Sequence, residues 1–409
     1  MRFLNLVTML VLIMTSSIAY SADTLAEAFS KGTLKGELRT FYFERDFDEA
    51  TTDRADFAVG SLLYYKTAPL HGISAGLAFA SSNDLGSDED KNVYGLLATG
   101  DDGDHESYTR MQEYYIQGEW FDTVVKYGAQ EINTPFMNKH DIRMSPKTYK
   151  GLSLVNNSVN GLTLSGYYIT EFMGWNDDEF MSISESAGAG DDDSALLVGG
   201  IKYQLPVSVV KASVAGWQYY LEDVFQSTYF EGSVGKKIGD YNLHITPSYL
   251  TQKSQGDELV GDFDTTQYGF NAGVAAYGLS LTGFYARTPD DGVFAPWGDG
   301  KVIIQQIIAA GRADEDAYAV KLGYNFGALG LRGLDAYVFY GMYDTPESGA
   351  AASSDIDETD FSLQYKFDED SYLKGFSVRV RYAIIDQDTA EDYNDFRVYI
   401  KYSFALSGK

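Results

Sequence analysis

The chain has 409 residues, with 59 acidic and 31 basic side chains and a formal net charge of −28. This charge excludes a general nucleic-acid-binding surface, and the absence of cysteine excludes a disulfide framework or a thiolate metal site. With 32 Tyr, 24 Phe and 41 Gly against 8 Pro, the composition favours strands and tight turns.

The first 22 residues have the three-part form of a secretory signal peptide. Arg2 precedes an apolar stretch over 3–14, and a run of mostly small residues leads to Ala22. The apolar stretch is too short to anchor the chain as a membrane-spanning helix, and no later segment approaches the roughly 18 apolar residues that such a helix needs. Residues 1–22 are therefore predicted to be a cleaved signal peptide. Residues 23–409 are predicted to form a single domain, which is either soluble or a closed barrel.

Strand-like segments with alternating apolar and polar residues follow one another along the whole exported chain. We predict an all-β fold, a transmembrane antiparallel β-barrel of 18 strands, or of 16 if one hairpin is miscounted. The segments are 34–43, 55–66, 72–81, 109–120, 123–131, 149–157, 161–172, 194–205, 207–220, 226–237, 241–253, 264–276, 278–287, 315–326, 333–344, 357–367, 375–386 and 393–404.

Short turns and long acidic loops alternate between these segments. The longest loops are predicted over 82–107, 172–193, 288–314 and 344–357. This order is typical of a bacterial outer-membrane barrel, whose short turns face the periplasm and whose long loops face outward. The acidic loops lack the glycine and terminal glutamate of an EF-hand, so a solvated face is favoured over a Ca²⁺ site. Divalent ions that bridge to lipopolysaccharide stay an alternative.

The last segment shows which side chains would face the lumen. Phe396, Val398 and Ile400 fall on one side of the strand, and Arg397 and Lys401 fall on the other. If the apolar side faces lipid, the charged side lines the pore. The same parity places a basic wall inside the barrel, formed by Arg39, Lys126, Lys202, Lys211, Lys321, Lys366, Arg379, Arg381, Arg397 and Lys401. This wall would favour small anions, or it would pair with interior glutamates as a purely structural ladder.

A barrel of this size needs a constriction if passage is selective. Residues 132–148 contain two prolines and lack strand alternation. We predict that they fold inward and bring Lys139, His140, Asp141 and Arg143 to a constriction. The alternative is an ordinary surface loop.

Two motifs resemble the OprD family of outer-membrane porins. Residues 35–47, K-G-E-L-R-T-F-Y-F-E-R-D-F, are similar to the first strand of that family. Residues 127–136, Y-G-A-Q-E-I-N-T-P-F, and 140–146, H-D-I-R-M-S-P, resemble its G-x-Q-E-I-x-T-P-F and D-x-R-M-x-P motifs. The chain departs from the family pattern at Ala129, where arginine is common, in its heavy acidic loops, and in residues 405–409 beyond Phe404.

The resemblance implies an eighteen-stranded porin with an inward-folded third loop and a lumenal ladder of basic residues. Asp141 and Arg143 would be constriction residues, and Arg379, Arg381, Arg397 and Lys401 would belong to the ladder. Members of the family pass small solutes, often amino acids or carboxylates, by passive diffusion without a cofactor.

The predicted function is thus moderately selective diffusion of small hydrophilic solutes, with no enzyme activity, cofactor or bound metal. Expected partners are outer-membrane lipid, lipopolysaccharide, small solutes and the barrel-insertion machinery, and the chain would be a monomer or a homotrimer. A surface-binding or structural barrel is the main alternative, because Trp297 and the apolar run after it are unusual in a solvated loop. An outer-membrane hydrolase is disfavoured, because none of the four histidines lies in a catalytic motif.

Overall fold

The computed structural model describes residues 22–298 and 300–407, in which 18 long strands form one closed antiparallel barrel. The predicted signal peptide, except for Ala22, lies outside the described residues, as do residues 408 and 409. The strands are β1 Thr33–Phe47, β2 Arg54–Lys66, β3 Ile73–Asp84, β4 Tyr108–Trp120, β5 Thr123–Gln130, β6 Thr148–Asn156, β7 Leu162–Met173, β8 Leu196–Leu205, β9 Lys211–Leu221, β10 Phe225–Ile238, β11 Tyr241–Ser254, β12 Asp264–Ala276, β13 Leu279–Thr288, β14 Glu315–Asn325, β15 Leu334–Asp344, β16 Ile356–Lys366, β17 Phe376–Gln387 and β18 Tyr393–Ser407.

Each strand pairs with its neighbour in sequence, and β18 returns to β1 to close the barrel. Closure leaves no sheet edge with unpaired backbone groups, which is the requirement for a sheet in a membrane. The pairing of β1 with β18 continues past Phe404, since Lys35 lies opposite Ala405 and Thr33 lies opposite Ser407. The tail after Phe404 is therefore, as far as Ser407, part of the closing strand.

Connections at one end of the barrel are short turns, and most at the other end are long loops. We name the nine connections at the loop end L1 (48–53), L2 (85–107), L3 (131–147), L4 (174–195), L5 (222–224), L6 (255–263), L7 (289–314), L8 (345–355) and L9 (388–392). L1, L5 and L9 have only six, three and five residues, so the predicted alternation of short turns and long loops fails at these three connections.

The helical segments are short, and none of them is a strand of the barrel wall. They are an α-helix, Leu25–Ser30, and two 3-10 helices, Glu185–Ala187 and Phe326–Leu329. Two-residue strands occur at Ala98–Thr99, His105–Glu106 and Met181–Ser182. Among the described residues, no helix has the length and apolarity needed to cross a bilayer.

The two faces of the wall differ as a period-two pattern requires. Outward side chains such as Leu38, Ile116 and Leu363 are exposed and apolar, whereas inward Arg39 and Arg397 are each only 2% exposed. A bulge in β4 puts Gln112 and Glu113 next to each other on the inner side, where both are buried. The outer face is thus an apolar band suited to lipid, and the inner face carries the polar groups.

The interior is partly filled by loops that pack on the inner wall. One apolar cluster joins residues of L3, L4, L6 and L7 to β6 through β11, and a second packs L7 against β13 through β17. Trp297 of L7 is 1% exposed; its indole N–H donates to Ser186 Oγ of L4 (2.8 Å), and its carbonyl accepts from the Tyr149 hydroxyl of β6 (3.0 Å). Trp297 therefore lies inside the barrel and not in a solvated loop.

Candidate solute passage

A single buried arginine attaches L3 to the barrel wall. The Arg39 guanidinium on β1 binds both carboxylate oxygens of Asp141, at 2.7 and 3.0 Å, and donates to the backbone carbonyl of Arg143 at 2.7 Å. Its Nε binds Glu37 at 2.6 Å. Burial alone would raise the pKa of Asp141, but the charges of Arg39 and Lys401 and the hydrogen bonds from Arg39 lower it to about 2.

The other end of L3 contacts the opposite side of the barrel. The backbone N–H of Phe136 donates to the hydroxyl of Tyr219 on β9 (3.2 Å), eight strands away from Arg39 on β1. Between these contacts, Lys139 pairs with Glu131 at 2.9 Å. L3 thus crosses the interior from β9 to β1.

Arg143 of L3 has a different environment from Arg39. Its guanidinium carbon lies 5.1, 5.4 and 5.2 Å from the ring centres of Phe43, Tyr94 and Trp175. Its Nε and Nη1 are shielded from solvent and have no hydrogen-bond partner within the described part of the chain. Burial and the nearby charge of Arg397 lower the pKa of Arg143. The site therefore holds a cation with unused donors.

His140 contributes to L3 mainly through its backbone and its ring face. Its φ of +41° marks a tight bend of a non-glycine residue. Its carbonyl accepts a hydrogen bond from the indole N–H of Trp175 in L4 (2.8 Å), and the two rings lie 5.0 Å apart. These contacts join L3 to L4 beside Arg143.

Six of the ten residues of the predicted basic wall lie near one another. On β1, β17 and β18, Arg39 lies opposite Lys401, and Arg397 lies opposite Arg381. Lys321 on β14 adjoins them through Tyr337, whose ring lies 3.9 Å from the Lys321 ammonium and whose hydroxyl accepts from Arg379 (3.2 Å). We call Arg39, Lys321, Arg379, Arg381, Arg397 and Lys401 the basic row.

Members of the basic row differ in how completely their charges are paired. Arg397 binds Asp395 at 2.7 Å, and Lys401 binds Glu37 at 3.1 Å. Arg381 lies 3.8 Å from Asp360, and its Nε has no hydrogen-bond partner among the described residues. The row therefore combines fully paired cations with a partly unpaired one.

The remaining four predicted wall residues lie away from the row. Lys202, Lys211 and Lys366 are exposed and lie near the turn end of β8, β9 and β16. Lys126 on β5 lies over the ring of Tyr115, at 4.3 Å. The structure does not bring these lysines together with the basic row.

Buried acids in the wall are a feature that the sequence analysis did not single out. Asp56, Glu358, Asp360 and Asp395 are all 0% exposed and face inward. Asp395 binds Arg45 and Arg397 and accepts from Gln306 of L7 (2.7 Å) and from Tyr94 of L2. Asp395 and Arg397 are two residues apart on β18, so the alternation that predicts an inward Arg397 also predicts an inward Asp395.

No set of three or more His, Cys, Asp or Glu in residues 22–298 and 300–407 is placed to hold a metal ion. The described interior combines loops that cross it or pack on the inner wall with a row of cations on one side.

Comparison with known proteins gives a consistent result. Residues 27–406 match the family model described as outer membrane porin, OprD family. The chain is 24% identical over 341 residues to the porin-like protein GalP of Pseudomonas putida, which covers 80% of this chain and 82% of that protein. It is 25% identical over 273 residues to Porin D of Pseudomonas aeruginosa, covering 64% and 60% of the two chains.

Solved structures show the same fold. OpdK of Pseudomonas aeruginosa with vanillate superposes with a TM-score of 0.83 at 20% identity, over 92% of this chain and 100% of that chain. OccK9 of the same organism superposes with a TM-score of 0.83 at 24% identity, over 93% and 100%.

Proposed function

Because the chain belongs to the OprD family of outer-membrane porins, whose members are transport channels and not enzymes, we propose that it favours small anions such as carboxylates. The observation that carries this proposal is the buried guanidinium of Arg143, with two nitrogens lacking acceptors in the described structure. Because these two nitrogens are shielded from solvent, the guanidinium would act on a passing solute through its charge, which favours an anion over a cation.

The physical reason is the cost of a buried charge. A cation shielded from water is unfavourable unless an anion or a hydrogen-bond acceptor compensates it. Arg39 and Arg397 already have carboxylate partners, so they brace the wall and are not expected to attract solute. Arg143 has no carboxylate partner among the described residues, and Arg381 lies 3.8 Å from Asp360, so the charges of these two arginines are less compensated and remain to attract a carboxylate.

Ion selectivity in planar bilayers tests the proposal directly. The reversal potential in a KCl gradient should have the sign of anion preference. Arg143→Gln and the pair Arg379→Gln with Arg381→Gln should each move it toward cations. Lys202→Gln removes the same charge away from the basic row and serves as the matched control. Cation selectivity in the unmodified protein, or an equal shift in the control, would contradict the proposal.

Solute uptake provides a second test that does not depend on small ions. In proteoliposomes, an organic carboxylate should enter faster than its uncharged amide of nearly the same size. Arg143→Gln should reduce this ratio while leaving uptake of the amide unchanged. Equal rates for acid and amide in the unmodified protein would mean that the basic row is only structural.

A further inference from the structure

We propose that Glu358 and Asp360 on β16 are positioning residues that fix the tip of L7 as one wall of the solute passage and so set its width. We define the L7 tip as residues 304–308. This role rests on the protein being a porin and does not depend on its preferring anions.

The two carboxylates hold the tip by its backbone. Oε1 and Oε2 of Glu358 accept the N–H groups of Ile307 and Ile308, at 2.9 and 2.7 Å, and Oδ2 of Asp360 accepts that of Gln306 at 3.0 Å. Both acids are 0% exposed. Three successive N–H groups are thus held by two buried carboxyl groups, an arrangement that favours one loop conformation over others.

Glutamine side chains complete the attachment. Gln305 donates to the carbonyl of Phe339 on β15 (2.9 Å) and accepts from the hydroxyl of Tyr343 (2.8 Å). Gln306 reaches β18, where its amide donates to Asp395 (2.7 Å). The tip therefore contacts β15, β16 and β18, and through Asp395 it adjoins Arg397 of the basic row.

The geometry indicates positioning and not solute binding. Both oxygens of Glu358 are already occupied by backbone N–H groups, and residues 302–310 contain no ionisable side chain. Ile304 is 44% exposed although it belongs to a segment packed inside the barrel. The tip therefore presents an apolar side chain to the part of the lumen that the loops do not fill. Moving the tip would change the size of the opening.

A buried strand carboxyl group also holds the backbone of a second loop, L2. Asp56 on β2 is 0% exposed, and its Oδ2 accepts the N–H groups of Gly95, Leu96 and Leu97 in L2, at 2.8, 2.6 and 3.3 Å. A buried strand carboxylate that accepts successive loop N–H groups is therefore a repeated means of holding an extracellular loop within this barrel.

The experiment compares Glu358→Gln and Asp360→Asn with the unmodified channel. Asp357→Asn is the matched control, because Asp357 immediately precedes Glu358 on the same strand but faces the other side, where its Oδ2 accepts from the Tyr340 hydroxyl. Heat-modifiable migration in gels checks that each barrel has folded. Single-channel recording gives conductance and open-channel noise, and liposome swelling with neutral sugars of increasing size gives the exclusion limit.

We expect both variants to fold, to conduct with more noise, and to admit sugars that the unmodified channel excludes, since the time that the tip spends displaced should rise roughly tenfold or more. Deleting residues 304–308 should give the same larger exclusion limit, and Glu358→Gln should add nothing to it. Noise and exclusion limits that match those of Asp357→Asn, or additive effects with the deletion, would overturn the proposal. Neutral sugars do not sense ion preference, so this outcome is separate from that of the reversal-potential test.

Discussion

Replacing Asp141 with asparagine is expected to loosen L3 without unfolding the barrel. The change keeps the shape of the side chain but removes the charge that both terminal nitrogens of Arg39 bind. Arg39 is only 2% exposed, so the substitution leaves a buried cation with Glu37 as its remaining carboxylate partner. The strand pairing of β1 with β2 and β18 is untouched.

The expected magnitude follows from the pKa of Asp141. Its fall from the ordinary value of 3.8 to about 2 corresponds to roughly 2 kcal/mol in favour of the docked, ionised carboxylate at neutral pH. Because about 1.4 kcal/mol is a tenfold change in an equilibrium, Asp141→Asn should raise the undocked fraction of L3 by about tenfold to a hundredfold.

Single-channel recording in planar bilayers measures this change as additional conductance levels and greater open-channel noise. Glu171→Gln is a suitable control, since it removes one carboxylate from a half-exposed ion pair with Lys150 that lies outside L3. Asp141→Glu should recover part of the unmodified behaviour, because it restores the charge. A recording of Asp141→Asn that cannot be distinguished from the control would refute the assignment of Arg39 and Asp141 as the anchor of L3.

Three further outcomes are expected. The depressed pKa of Asp141 stabilises the docked loop fully above its ordinary value, and this contribution is lost as pH falls from about 4 toward about 2. The difference in open-channel noise between Asp141→Asn and the unmodified channel should therefore stay constant from neutral pH to about pH 4, and a difference that already shrinks at pH 6 would contradict this. Asp56→Asn should make L2 more accessible to protease while the barrel stays folded, and unchanged cleavage would count against Asp56 as its anchor. Gly36→Ala should lower the urea midpoint by the equivalent of about 1 to 3 kcal/mol, because a Cβ there meets the Phe404 ring, whereas Gly166→Ala has open space and should not.

The strands were predictable because their side chains obey a local rule. Each buried or lipid-facing position in β18 follows from the alternation of Phe396, Arg397 and Val398, and the count of 18 is confirmed by the structure. The same rule did not predict where the strands end. The last strand was predicted to end at Phe404, but β18 continues to Ser407, because Thr33 and Leu34 on β1 pair with its last residues.

The interior was less predictable because it depends on contacts between distant loops. The position of Trp297 rests on Ser186 and Tyr149, which are more than a hundred residues away along the chain, and no local pattern encodes such a pairing. In β4, a strict period of two cannot put both Gln112 and Glu113 inside, which the bulge achieves. The roles of Glu358 and Asp360 could not be predicted for another reason. The alternation along β16 predicts that both side chains face the lumen, but only the folded structure shows that L7 packs against them.

The protein as a whole is acidic although one side of its lumen is basic, because the two kinds of charge lie in different places. Asp88, Glu89 and Asp90 in L2 are exposed, whereas the basic row lies within the barrel. Exposed charges are screened over about 8 to 10 Å at roughly 0.1 to 0.15 M salt, but over about 30 Å at roughly 0.01 M. Neutralising these three acids together should therefore speed anion uptake in dilute salt and have little effect near physiological salt. An equal gain at both salt concentrations would mean that L2 acts on solute at short range, inside the passage and not at its mouth.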